Sequence, residues 1–207
     1  MGKTMKQKKI KQKLGNTAIV VSGLPRSGTS MMMQMLKDGG VEILADNKRK
    51  ADRNNPKGYL ELQAVKRLHK DNSCLENVEG HAVKVISHLL EYLPEDKRYK
   101  VIFMDRNLDE IIESQQKMLK KDSDDFPPEI IEAFKKEIKN VELWVEENDN
   151  VEIIRIKYPE VIKNPEEQVQ QVLDFLDLDL NKKKMVEVVD PNLYRNRAKK
   201  ARKSKLK

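Results

Sequence analysis

The run AIVVSGLPRSGTSMMMQML, from Ala18 to Leu36, constrains the fold more than any other part of the chain. A β-branched apolar segment breaks into Gly-Leu-Pro-Arg-Ser-Gly, and a helical apolar pattern follows. This is the layout of a phosphate-binding loop joining a strand to a helix. Gly23 and Gly28 supply positive-φ freedom and let backbone amides approach an anion. The loop enters a helix N-terminus, whose N–H groups and dipole favour negative charge. Pro25 stiffens the turn, and Arg26 brings a permanent charge that can bind two oxygens at once. The nucleotide-hydrolase pattern G-x-x-x-x-G-K-[ST] requires lysine where this chain has Thr29. The anion is therefore held without that lysine.

Four short Val- and Ile-rich runs read as buried parallel strands: TAIVVSG (17–23), AVKVIS (82–87), KVIFMD (100–105) and VEIIRIKY (151–158). Helical patterns lie between them. They cover about Thr29 to Lys37, Leu60 to Asn72, the stretch after Arg106, the proline-opened PPEIIEAFKKEIKNVELWVEEN, and NPEEQVQQVLDFLDL with Asn164 as N-cap and Pro165 at the first position. A shorter helix is expected over Asn181 to Val189. Strands alternating with helices imply an α/β fold of three layers, with a central parallel sheet flanked by helices. Ligands in such folds bind at the carboxyl ends of strands. The loop at 23–29, His88 and the Asp105-Arg106 corner all fall there.

A length of 207 residues suits one domain. No run of about 18 apolar residues is present, so no transmembrane helix is expected. The N-terminus lacks an apolar leader core, and the one cysteine, Cys74, forms no internal disulfide, so the expected location is the cytoplasm. The formal charge of +7 is unevenly spread. Residues 1–14 hold six lysines and no acid, and residues 195–207 hold eight Lys or Arg and no acid. Removing those fourteen from 41 leaves 27 basic against 34 acidic residues in the body. The expected organisation is a basic disordered tail at 1–14, an α/β domain over 15–194, and a second basic tail at 195–207. Both tails are expected to be solvated, without a specific nucleic-acid partner.

The segment GLPRSGTSMMMQML resembles the 5′-phosphosulfate loop of sulfotransferases that use 3′-phosphoadenosine 5′-phosphosulfate (PAPS), with its pattern Pro-[Lys/Arg]-Ser-Gly-Thr-[Thr/Ser]. The family has a P-loop-like fold. The resemblance implies that Arg26, after Pro25, faces the bridging oxygen and the sulfuryl group. It also implies that Ser27, Gly28, Thr29 and Ser30 wrap the 5′-phosphate. A second element strengthens the match. VIFMDRNLDEIIESQQKML resembles the family's 3′-phosphate motif, a strand followed by Arg and, eight residues on, Ser: here Arg106 and Ser114. The resemblance extends over roughly 17–197, taking in YPEVIKNPEEQVQQVLDFLDL and DPNLYRNR. It implies that a basic C-terminal segment closes over the 3′-phosphate, and Arg195 and Arg197 are its candidates.

Sulfuryl transfer to a hydroxyl or amine needs a base, counter-charge for the sulfuryl oxygens and a stabilised leaving phosphate. Two neighbourhoods offer the base. AVKVISHLLEYLP resembles the family segment in which Lys aids the transition state and His is the base, here Lys84 and His88, although His follows Lys by four residues rather than two. Lys84 lies within an apolar strand, where an idle ammonium is costly. NNPKGYLE resembles runs in bacterial members, and other branches use Glu, which makes Glu61 the second candidate. Pro56 and Gly58 shape a turn there, and Tyr59 is placed to line the acceptor pocket. Three scattered histidines and one cysteine make no zinc site, so no metal is expected. Two other functions are compatible with parts of the pattern. One is a phosphotransferase using ATP·Mg²⁺, with Ser30 and Asp105 as metal-side residues. The other is a non-catalytic nucleotide-binding protein.

Overall fold

The computed structural model describes residues 2–46, 48–52, 55, 58–119 and 128–193. Five strands, β1 (Thr17–Ser22), β2 (Glu42–Ile43), β3 (His81–Lys84), β4 (Arg98–Asp105) and β5 (Val151–Lys157), form one sheet in the order β2-β3-β1-β4-β5. Every pairing is parallel. β1 is central, and the chain leaves it first toward β3 and then returns on the other side to β4. Side chains alternate across the pleat. Ile19 and Val21 enter one apolar cluster, with Met32, Met35 and Leu36. Ala18 and Val20 enter a second, with Val83, Leu90 and Phe103. Both faces are covered, as the three-layer expectation requires.

The helices are α1 (Gly2–Leu14), α2 (Thr29–Gly39), α3 (Leu108–Leu119), α4 (Pro128–Glu147), α5 (Tyr158–Lys163), α6 (Pro165–Leu176) and α7 (Lys182–Glu187). Asn181 caps α7 by accepting from the Lys184 amide at 3.1 Å. Asn164 stands at the N-cap of α6 but does not cap it; its side-chain amide donates instead to Glu160 Oε2 at 3.2 Å. Among the described residues no helix is long and apolar enough to cross a membrane.

Three sequence expectations are corrected. The basic N-terminal segment is not a disordered tail. It is α1, and it is anchored by Ile10 and Leu14, which enter the core at 4% and 7% exposure. The two lie four residues apart on one helix face, and Gln7 of that face donates to the Gly80 carbonyl at 3.1 Å. The six lysines concealed this short apolar seam. The region near 60–72 is not an α-helix but short 3-10 turns at Gln63–Arg67 and Ser73–Leu75. Leu60 takes φ 48, which stops a helix there, and Val65 and Leu68 sit three apart, the spacing of a 3-10 turn. The strand expected at 82–87 ends at Lys84.

Candidate active site

The loop after β1 is fixed by close packing. A Cβ on Gly23 (φ 144) would lie 2.5 Å from Ser27 Oγ and 2.6 Å from the Met104 carbonyl. A Cβ on Gly28 (φ 103) would lie 2.3 Å from Cδ2 of Tyr158, whose ring covers the loop. Between them Arg26 takes φ 72, a left-handed conformation that an arginine adopts at a cost. The first helical bonds of α2 run from Met31 and Met32 to the Gly28 carbonyl, which leaves the amides of Gly28, Thr29 and Ser30 outside the ladder. No acidic residue occupies the first turn. Thr29 and Ser30 add hydroxyls beside those amides.

Arg26 Nε donates to Ser114 Oγ at 3.0 Å. Burial, with Arg106 adding to it, lowers the pKa of Arg26, although a guanidinium stays charged. Arg106 Nη1 donates to the Arg26 carbonyl at 3.0 Å, and its Nε pairs with Glu110 Oε2 at 2.9 Å. Both members of that pair are buried, and the Arg106 guanidinium lies 4.6 Å from the centre of the Tyr158 ring. The carboxylate partner of Arg106 is thus one turn along α3. Arg106 and Ser114 are brought together through Arg26, which bonds to both.

The second cluster forms where β3 ends. Lys84 Nζ donates to Ser30 Oγ at 3.1 Å and to the Tyr59 carbonyl, and it pairs with Glu61 Oε1 at 3.0 Å. Burial lowers the Lys84 pKa more than Glu61 raises it. Burial pushes the Glu61 carboxyl up, but Lys84 and Arg49 together hold it below the usual carboxylate range. Arg49 Nη1 reaches both Glu61 oxygens, at 3.2 and 3.3 Å, and its guanidinium lies 3.4 Å from the centre of the Tyr59 ring. The Tyr59 hydroxyl donates to Asp52 at 2.8 Å.

Both clusters open into one cleft of about 760 Å³. Its lining includes Pro25, Arg26, Gly28, Thr29, Ser30, Glu61, Lys84, Arg106 and Ser114. Ser27 is not in that lining. Its hydroxyl is buried beside Gly23 without a hydrogen-bond partner among the described residues, and its amide donates to the Leu24 carbonyl at 3.2 Å. His88 is absent from the cleft too. Its side chain is 58% exposed, with Nδ1 3.7 Å from Glu137 Oε1 of α4. The chain past Lys84 enters a 3-10 turn, Ser87–Tyr92, whose outer side faces α4, and Ser87 Oγ donates to the same Glu137. Of the two candidate bases, Glu61 stands beside Lys84 and lines the cleft, and His88 does neither. Arg195, Arg197 and Pro56 lie outside the described residues. Among the described residues no cluster of His, Cys, Asp or Glu could hold a metal ion.

Among the cleft residues that the sequence reading missed are Arg49 and Tyr158. Tyr158 had a signal, since it is the last residue of a predicted strand, at the carboxyl edge where ligands bind. Arg49 had none, because its surroundings, DNKRKADRNN, carry no periodicity.

The carboxyl edge of the parallel sheet gathers amides, hydroxyls and cations around one cleft, the arrangement of an α/β protein with its candidate site at the strand ends. Residues 16–206 match the Sulfotransferase domain, and the chain belongs to that family. Among solved structures it is similar to a mouse sulfotransferase, SULT7A1, complexed with PAP, at 15% identity and a TM-score of 0.49, over 95% of this chain and 74% of that one. It is also similar to the sulfotransferase domain from the curacin biosynthetic pathway, at 14% identity and a TM-score of 0.48, over 84% and 78% of the two chains. No curated protein matches the chain.

Proposed function

We propose that the chain transfers a sulfuryl group from PAPS to a hydroxyl or amine acceptor, with Glu61 as the base. The observation that carries this reading is the convergence of Lys84, Glu61 and Ser30 on the cleft wall beside the loop. The donor set fits the cosubstrate. Three amides outside the helical ladder, two hydroxyls and Arg26 suit one phosphate-like end, and the Arg106–Ser114 side of the cleft suits another. PAPS supplies the activated sulfuryl group; the rest falls to the chain's own residues.

Glu61 is ionised at neutral pH, because its cationic neighbours hold its pKa down. It is therefore ready to accept a proton from a hydroxyl placed against it. Lys84 is held by Glu61 and Ser30. Once Glu61 is protonated, the charge that holds Lys84 is gone. The step that activates the acceptor thus frees an ammonium for the negative charge that develops on the transferred group. Arg26 acts from the loop side as a fixed charge and not as a proton donor.

The test is binding without metal. Adenosine 3′,5′-bisphosphate should raise the melting temperature in the presence of a chelator. A shift with ADP·Mg²⁺ and none with the bisphosphate would assign the loop to phosphoryl chemistry instead.

A further inference from the structure

The inference concerns the acceptor, and it rests on the reading above, which gives the loop end of the cleft to the nucleotide. The wall beyond Lys84 and Glu61 is apolar. Leu62, Val65, Ile86 and Leu89 line it, and all four belong to the cluster on the sheet face opposite α2. Over this wall stand Arg49 and Lys66, both lining residues. Arg49 shares Glu61 with Lys84. Lys66 is exposed, and its ammonium donates to a neutral group, Gln63 Oε1, at 2.8 Å. Among the lining residues of this wall the cations Arg49, Lys66 and Lys84 stand against the carboxylate Glu61, while Asp46, outside the lining, is near enough for its charge to act on Lys66. Asp46 is turned to the backbone amides of Lys48 and Gln63, Asp52 to Tyr59 and the Asn55 amide, and neither lines the cleft. After burial and the opposing pull of Glu61, Arg49 and Lys66 add to the depression of the Lys84 pKa, so their field reaches the reacting end.

An apolar surface offers little to the many hydroxyls of a neutral sugar, and the charge excess repels a basic peptide. We propose that the acceptor is an amphipathic anion. An apolar chain or ring lies on Leu62, Val65, Ile86 and Leu89, and a carboxylate, phosphate or sulfate meets Lys66 and Arg49. The hydroxyl or amine to be modified then points to Glu61.

The probes are 4-phenylbutyrate and 4-phenylbutanol, which share an apolar body and differ in charge. Each is titrated into protein saturated with adenosine 3′,5′-bisphosphate, so that the phosphate loop cannot take the anion. Methyl chemical shifts of Leu62, Val65, Ile86 and Leu89 report binding, and 4-phenylbutyl phosphate in a third arm compares the head groups. The carboxylate should bind at least about fivefold tighter than the alcohol, as expected for contacts to partly exposed cations. That advantage should disappear in Lys66→Gln and shrink at about 0.5 M salt. Lys66 is exposed, so its replacement leaves the fold intact, which an unchanged melting temperature checks. Equal binding of acid and alcohol, or no methyl shifts from any probe, overturns the proposal. Failure of the bisphosphate itself to bind removes the sulfotransferase reading, and this inference with it.

Discussion

Gly28→Ala tests whether Tyr158 truly clamps the loop. Two costs are expected. Alanine at φ 103 is strained by about 1–2 kcal/mol. Its Cβ would also sit 2.3 Å from Tyr158 Cδ2, and displacing a buried ring costs about 1–3 kcal/mol. Gly15→Ala supplies the control: Gly15 also has positive φ, 57, but nothing lies within 4 Å of the added Cβ. The gain from a stiffer unfolded chain is common to both substitutions and cancels. Gly28→Ala should therefore melt roughly 3–10 °C below Gly15→Ala in a chain of this size. In a Tyr158→Ala background the extra penalty should vanish, a coupling of about 1–3 kcal/mol by urea denaturation. If Gly28→Ala costs no more than Gly15→Ala, or costs the same with and without the tyrosine ring, the clamp does not exist.

Glu61→Gln should lower kcat with PAPS by at least about 10²-fold, while His88→Ala stays near the parent value; the reverse pattern would restore the histidine base. The folded-state pKa of Glu61 is depressed, so its contribution to stability is present above about pH 4.3 and is lost as pH falls through the lower folded value. Acid unfolding of Glu61→Gln should lack that segment, and identical curves would show that the carboxylate is unperturbed. Ile10→Ala should cost about 2–4 kcal/mol, whereas replacing the exposed Lys8 or Lys9 should stay within about 0.5 kcal/mol; equal effects would mean that α1 does not pack. Arg106→Ala should destabilise by about 3–5 kcal/mol, because it breaks a buried ion pair with Glu110 by removing one partner. It should also weaken adenosine 3′,5′-bisphosphate more than adenosine 5′-phosphate, and equal losses for the two ligands would confine Arg106 to a structural role.

β1, β3, β4 and β5 were legible because each carries a Val- and Ile-rich run whose central residues pack into the core, even though the edge strand β5 exposes Glu152, Arg155 and Lys157. Glu42–Ile43 was not, since two residues carry no pattern. The tight loop between β1 and α2 was legible because close backbone approach demands glycine, and Ser27, Met104 and Tyr158 are the obstacles that make it so. Charge misled the reading at both levels. Six lysines hid Ile10 and Leu14 in α1, and the unpatterned run around Arg49 hid the cation that grips Glu61. His88 was misplaced for a geometric reason. A strand continued to residue 87 would have fixed its direction by alternation, but β3 stops at Lys84 and the turn that follows aims the imidazole at α4. Lys84 survived the same uncertainty because it lies inside the strand, where register leaves no choice.

The ring that lies over the first loop comes from the start of α5, directly after the last strand of the sheet. The loop's final geometry therefore waits on contacts very distant along the chain. β1 and β4 pair without it, whereas the contact between residues 28 and 158 closes a long loop at an entropic cost. The dependence runs in reverse in the native state. Among the described residues β5 is an edge strand, paired to β4 alone, and the opening of this edge would withdraw Tyr158 and release the loop. The Ser27 amide, which donates to the Leu24 carbonyl inside the loop, should then exchange with solvent in the same cooperative unit as β5, although more than a hundred residues separate the two segments.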